Sequence, residues 1–265
     1  MQNSIKVNDL KALLTAQDTR AMSAAQAPRL TPPVPAPSFR SEPGTATMDV
    51  VRYSEADLPT VYGPFRLYVY REAQTSGQPS PGSTSLEHMA IVRGDLRGQE
   101  AVLCRIHSEC WTSEVIGSMK CDCREQLEAA LKRVAAEGSG VVVYLRQEGR
   151  GIGLGNKIKA YALQNEGADT VEANIALGFE ADSRNYDLAG AILNDLGVKS
   201  VRLMTNNPLK MDGLRQAGVE VVGRQAHWVA ENRYNAQYLA VKRRKMGHHA
   251  DNSPRLLALP GAKKP

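Results

Sequence analysis

Gly140-Val141-Val142-Val143-Tyr144-Leu145, followed at once by Arg146-Gln147-Glu148-Gly149-Arg150-Gly151-Ile152-Gly153-Leu154-Gly155, decides the fold class. The apolar run reads as a strand, and the glycine-rich stretch after it as a turn into the next element. Just upstream, Leu127, Ala130, Leu131 and Val134 fall at helical spacing from Arg124 on, with Gly138 as a stop after the last turn. Downstream, the pattern predicts a helix from about Asn156 to Gln164, another from about Arg184 to Leu196 ended by Gly197, a strand Val201 to Met204, a helix opened by Pro208, and a strand Val219 to Val222. Strands and helices in alternation predict an α/β protein, a mixed sheet with flanking helices. Nearer the amino terminus, Phe65 to Tyr70, Met89 to Val92 and Ala101 to Ile106 read as strands of a sheet built by hairpins, with a polar loop through Ser76, Gly77, Pro79, Pro81 and Gly82.

The ends differ from this centre. Six of the 14 prolines fall between Pro28 and Pro43, where fixed φ and missing donors disfavour helix and sheet alike, so residues 1–47 are expected to form a disordered Pro-rich tail. Residues 249–265 are expected to be a second, flexible tail, leaving 48–248 as one globular domain. The 265 residues carry 33 Lys and Arg against 28 Asp and Glu, a net of +5. Residues 1–47 hold a net +2 of this and residues 242–265 a net +6, which leaves the middle at −3. The globular part is therefore no basic slab, and neither a nucleic-acid partner nor, with no apolar run near 18 residues, a membrane span is expected. No apolar segment near the start resembles a signal peptide, so a cytoplasmic location is expected.

Three of the four cysteines crowd together at Cys110, Cys121 and Cys123, which in such a chain points to metal or redox chemistry rather than a disulfide framework. Two thiolates in a C-x-C pair can converge on one point, and a third returns easily through a ten-residue loop; soft thiolates select Zn²⁺ among common divalent ions. A structural zinc wants four ligands. Cys104 and His107 are rival candidates for the fourth, although Cys104 alternates with Val102 and Ile106 as a core residue would. If neither binds, water holds the open position, as in a catalytic site. The loop Arg146 to Gly155 suits close approach of backbone amides to an anion, yet it fits neither the dinucleotide fingerprint nor a P-loop. Thr205-Asn206-Asn207-Pro208-Leu209-Lys210 lies where a strand delivers its carboxyl end, the usual place for a ligand, and its asparagines suit a helix cap.

Read together, His107-Ser108-Glu109-Cys110, Cys121-Asp122-Cys123, Arg146-Gln147-Glu148-Gly149-Arg150, Asn156-Lys157-Ile158, Ala160-Tyr161-Ala162-Leu163-Gln164, Thr170-Val171-Glu172-Ala173-Asn174 and Thr205-Asn206-Asn207-Pro208 resemble GTP cyclohydrolase II, in order, from about Val50 to His248. That family opens the guanine imidazole ring of GTP, releasing formate and pyrophosphate, in the first committed step of riboflavin synthesis. The resemblance implies that Cys110, Cys121 and Cys123 hold one Zn²⁺ per subunit, with water in the open position. It implies GTP contacts at Arg105, Ile106, His107, Ser108, Glu109, Gln126, Glu148, Gly149, Arg150, Thr170, Thr205 and Lys210. Arg150 and Lys210 suit the triphosphate, with which family members use Mg²⁺, and Glu148 is expected to accept the guanine N1 and N2 hydrogens. Asp182 is similar to the family's proton acceptor, and Tyr161 to the tyrosine that completes deformylation. Arg184 is similar to a residue described as a nucleophile toward the α-phosphate; a guanidinium of pKa above 12 suits charge stabilisation better. Relatives are homodimers, and the 47-residue tail is too short for the second domain of bifunctional relatives, so a monofunctional enzyme is expected. Two alternatives stand beside this reading. One is a paralogue that stops at the formylated pyrimidine or serves uracil breakdown, and the other is a zinc-stabilised nucleotide-binding module without turnover.

Overall fold

The computed structural model describes residues 50–72, 86–166, 173, 175–179, 184, 186–230, 232 and 234–235. Both tails, the loop through Ser76 to Gly82, Thr170 and Asp182 lie outside these residues. The described elements are β1 (Val50–Thr60), β2 (Gly63–Glu72), β3 (Glu87–Arg93), β4 (Val102–Ser108), α1 (Trp111–Glu114), α2 (Cys123–Glu137), β5 (Gly140–Leu145), α3 (Gly153–Asn165), α4 (Asp187–Asp195), β6 (Ser200–Met204), α5 (Pro208–Gln216) and β7 (Glu220–Gln225). A 3-10 turn, Glu148–Gly151, joins β5 to α3. Among the described residues no helix is long and apolar enough to cross a membrane.

The seven strands form one mixed sheet in the order β1-β2-β3-β5-β4-β6-β7. β1, β2, β3 and β5 pair antiparallel, while β5, β4, β6 and β7 run parallel. The expected hairpin between the strands at Met89 and Ala101 is therefore corrected: β5 lies between β3 and β4. Parallel strands need a long crossover, and α2 supplies it by carrying the chain from β4 back to β5, so β5 takes the place that a hairpin would have given to β4.

The apolar run of β5 is explained by burial on both faces. Val141, Val143 and Leu145 join a core with Ile106, Leu188, Ile192, Leu193, Leu203 and Leu214 on the side of α4 and α5. Val142 joins Leu103, Ala130 and Val134 on the side of α2. Gly140 opens the strand at φ +152 because a Cβ there would meet the Leu103 carbonyl oxygen at 2.7 Å.

Other boundaries shift for local reasons. α4 begins at Asp187 rather than Arg184, since its buried stripe starts only at Leu188 and the backbone of Tyr186 is not helical. α3 begins at Gly153, three residues before the expected start; first-turn N–H groups have no intrahelical partner in any case, so glycines cost little there. β1 carries no strong strand signal because it is an edge strand exposed along most of its length, where Glu55, Asp57 and Pro59 are tolerated.

Candidate active site

Because β4, β5 and β6 are parallel, the loops that leave Ser108, Leu145 and Met204 emerge at one edge of the sheet, where open α/β sheets place their ligands. They enclose a cavity of about 1080 Å³, counted to its open mouth, whose walls include all three clustered cysteines.

Cys110 ends the β4 loop as the residue before α1, and Cys123 is the first residue of α2, where the helix amino terminus favours negative charge. The three sulfurs lie within 4.8 Å of one another, with Cys110 Sγ 3.6 Å from Cys121 Sγ. Hydrogen bonds from the Cys121 and Cys123 thiols, together with the Lys157 ammonium, hold the Cys110 thiol far below its ordinary value, so the cluster keeps a thiolate. A three-sulfur set of this kind, with Cys110 and Cys121 buried and Cys123 half-buried, fits a soft divalent ion with an open fourth position. The rivals for that position are placed elsewhere. Cys104 is fully buried among apolar side chains, and burial pushes its thiol up to about 12. His107 gives its Nε2 to Glu114 Oε1 at 2.8 Å.

Glu114 was missed by the sequence reading, and Lys157, quoted there within Asn156-Lys157-Ile158, was given no role. Glu114, one helical turn after Cys110, accepts the Cys110 backbone N–H on Oε1 at 3.1 Å, the His107 ring on the same atom, and the Tyr144 hydroxyl on Oε2 at 2.5 Å. Burial lowers the pKa of His107, so the ring is neutral; with Nε2–H donated to the carboxylate, Nδ1 is an acceptor, and it has no partner among the described residues. Lys157 Nζ donates to Cys110 Sγ at 3.1 Å and to Glu148 Oε1 at 2.7 Å. Burial works against its charge, but the Cys110 sulfur and Glu148 outweigh that and raise the ammonium's pKa.

Glu148 lines the cavity. Its Oε1 also accepts the Gly149 N–H at 2.8 Å and its Oε2 the Trp111 N–H at 2.6 Å, so its carboxylate also holds the loop together. Gly149 and Arg150 both take left-handed φ of 64°. Glycine does so at no cost, whereas Arg150 stores strain of the kind that collects at ligand sites.

Arg105 is buried, and its pKa is lowered by that burial to about 10. Its guanidinium donates to the Met204 carbonyl at 2.8 Å and to Gln126 Oε1 at 2.5 Å, and Gln126 passes the chain on to Asp122 Oδ2. Thr205 Oγ1 accepts the Asn207 N–H at 3.0 Å, and Asn207 caps α5 as expected, with Pro208 in its first turn. Lys210 Nζ reaches back to the Ile106 carbonyl at 2.9 Å. Ile106 itself does not line the cavity: its side chain belongs to the apolar core. Ser108, Glu109, Gly149, Arg150, Tyr161 and Arg184 do line it, as do Gln147, Gln164 and Asn206 from the motifs read in the sequence and the unanticipated His227. The Tyr161 ring lies beneath Lys120, whose Nζ is 4.7 Å from its centroid.

The family model for GTP cyclohydrolase II matches residues 51–226. The chain belongs to the GTP cyclohydrolase II family. The matched span runs from the first residues of β1 to the end of β7 and holds every element that lines the cavity. GTP cyclohydrolase-2 of Actinobacillus succinogenes is 50% identical over 200 residues, covering 76% of this chain and 88% of that protein. GTP cyclohydrolase-2 of Haemophilus influenzae is 48% identical over 211 residues, 78% of this chain and 94% of the other. Riboflavin biosynthesis protein RibBA of Synechocystis is 51% identical over 201 residues, 75% of this chain but 34% of that longer protein. Among solved structures, RibBX, a two-domain 3,4-dihydroxy-2-butanone 4-phosphate synthase from A. baumannii, aligns at 23% identity with a TM-score of 0.39, over 67% of this chain and 40% of that one. That likeness is too loose to inform the GTP cyclohydrolase II site.

Proposed function

We propose that this cavity binds GTP and that the protein hydrolyses it, in a zinc-dependent reaction, to 2,5-diamino-6-hydroxy-4-(5-phosphoribosylamino)pyrimidine, formate and pyrophosphate, the first committed step of riboflavin biosynthesis. The observation that carries this reading is one cavity walled by three convergent sulfurs and by Arg150, Arg184 and Lys210. Cys110, Cys121 and Cys123 would hold the ion, which when bound supplies a Lewis acid that makes water acidic near neutral pH. Guanine C8, an electron-poor carbon between two nitrogens, is the atom to which that chemistry would be directed.

The remaining roles belong to the chain. Arg150 and Lys210 meet the triphosphate, Arg150 through a bidentate fork and Lys210 as a point charge, and Mg²⁺ accompanies the triphosphate. Glu148, in the cavity wall, accepts the guanine N1 and N2 hydrogens, and His107, fixed in one tautomer by Glu114, stands near it as a further GTP contact. Tyr161 stands in the cavity wall to complete deformylation, and Arg184 offsets charge at the α-phosphate. Asp182 serves as the proton acceptor, and the active form is a homodimer in the cytoplasm.

The test is mass spectrometry of the products after zinc-loaded protein is incubated with GTP and Mg²⁺, beside a Cys123→Ser variant. Formate, pyrophosphate and the diaminopyrimidine phosphate, all lost in the variant, are expected. A formylated pyrimidine as end product would overturn the deformylation step, and intact GTP the whole reading.

A further inference from the structure

We propose that Lys157 is a positioning residue of the metal centre, tuning the ion through the Cys110 sulfur rather than touching substrate; this rests on the zinc reading above. Three observations carry it. Lys157 is buried, although lysine is almost never buried without a specific partner. It has two such partners, and one is a metal-ligand sulfur: Nζ lies 3.1 Å from Cys110 Sγ and 2.7 Å from Glu148 Oε1. The second partner is itself fixed, since Glu148 accepts the Trp111 and Gly149 N–H groups. A short chain of bonds therefore runs from the backbone on both sides of the cavity, through Glu148, to an ammonium that is held on the sulfur.

A hydrogen bond from a cation draws electron density from a thiolate and makes it a weaker donor to its ion. The ion becomes a stronger Lewis acid, and water in its open position gives up a proton more readily. Glu148 fixes which way the ammonium points, so the effect falls on Cys110 alone of the three ligands. Partners that orient and tune ligands in this way typically change metal affinity or activity by roughly 10- to 100-fold when removed.

The experiment replaces zinc by Co²⁺, whose sulfur-to-metal charge-transfer absorption reports the electron richness of the thiolates. Lys157→Met is expected to move that band to longer wavelength. With zinc it is expected to lower kcat by roughly 10- to 100-fold while KM for GTP stays within about threefold, since the residue acts through the ion. Lys157→Arg, which keeps a cationic donor, restores both toward wild type. Lys157→Gln, which fills the site without the charge, reads the same band shift should the methionine variant fail to fold. A Co²⁺-loaded variant without the cation but with an unmoved band, or a loss confined to KM, overturns the inference and leaves the zinc reading standing. A wild-type protein that takes up no Co²⁺ overturns both.

Discussion

Removing the Glu114 carboxylate tests whether the metal loop is held from behind. The side chain accepts from three donors, the His107 ring at 2.8 Å, the Cys110 N–H at 3.1 Å and the Tyr144 hydroxyl at 2.5 Å, and it is only 9% exposed. Glu114→Ala strands all three. One buried donor left without an acceptor costs about 1–3 kcal/mol, and since the void can admit water and the terms do not add, the expected loss is about 4 kcal/mol rather than the full sum. Glu114→Gln keeps one carbonyl oxygen, and the Tyr144 hydroxyl can turn to accept from the new amide. It loses only the charge assistance, about 1–2 kcal/mol. Urea unfolding of the metal-free proteins measures both, with midpoints falling in the order wild type, Gln, Ala at unchanged slope. The alanine variant should also surrender its metal to a chelator faster, because Cys110 loses the bond that fixes its backbone. A loss under about 1 kcal/mol in Glu114→Ala would refute the reasoning, since a network that costs less than one stranded donor is not holding the loop.

Two further outcomes follow from burial. His227 and His88 are kept neutral chiefly by burial, at about 2 and about 4 against an ordinary 6.5, so the unfolded chain binds protons that the folded chain refuses. Stability should therefore be full above about pH 6.5 and fall as the pH drops toward 4, with a slope approaching about 1.4 kcal/mol per unit for each ring; urea midpoints that stay level between pH 7 and 4.5 would contradict it. Cys104→Ser should keep its bound metal, since the thiol lies in the apolar core, whereas Cys121→Ser should lose it, as elemental analysis of the purified variants would show.

What could be read in the sequence follows from how local each signal is. β5 was legible because a strand buried on both faces must be apolar at every position, and Val141 to Val143 satisfy that in one glance. The cysteine cluster was legible because a C-x-C pair brings its own geometry. The insertion of β5 between β3 and β4 was not, since strand order is set by a crossover whose energetics no turn residue records. Glu114 and Lys157 were silent for a similar reason. A glutamate and a lysine on helices look like solvated surface until the fold brings one beneath Cys110 and the other onto its sulfur. The spacing of Glu114, one turn after Cys110, is the only local hint. Glu148 shows a different limit: its place in a glycine-rich loop suggested a site residue, and it does line the cavity, but the bonds it accepts from Trp111 and Gly149 could not be read from the sequence.

The division of the sheet explains why the chemistry collects where it does. β1, β2 and β3 contribute no residue to the cavity wall; most of it comes from the segments that leave β4, β5 and β6. Each of these three strands leads to a helix that starts at the same edge, β4 by way of the short α1 to α2 at Cys123, β5 to α3 at Gly153 and β6 to α5 at Pro208. Parallel strands impose that arrangement, so three helix amino termini, each with partial positive charge and unsatisfied N–H groups, are brought to one side. Such an edge suits thiolates and polyanions alike. Cys121 and Cys123 lie at the start of α2, Arg150 lies in the turn before α3, and Lys210 lies in the first turn of α5, where the proposed triphosphate would meet them. A ligand with one end at the sulfurs and its anionic end at those turns uses both halves of the edge. An uncharged base or nucleoside would forgo the second half, which is why a nucleoside triphosphate fits this chain better than its base alone.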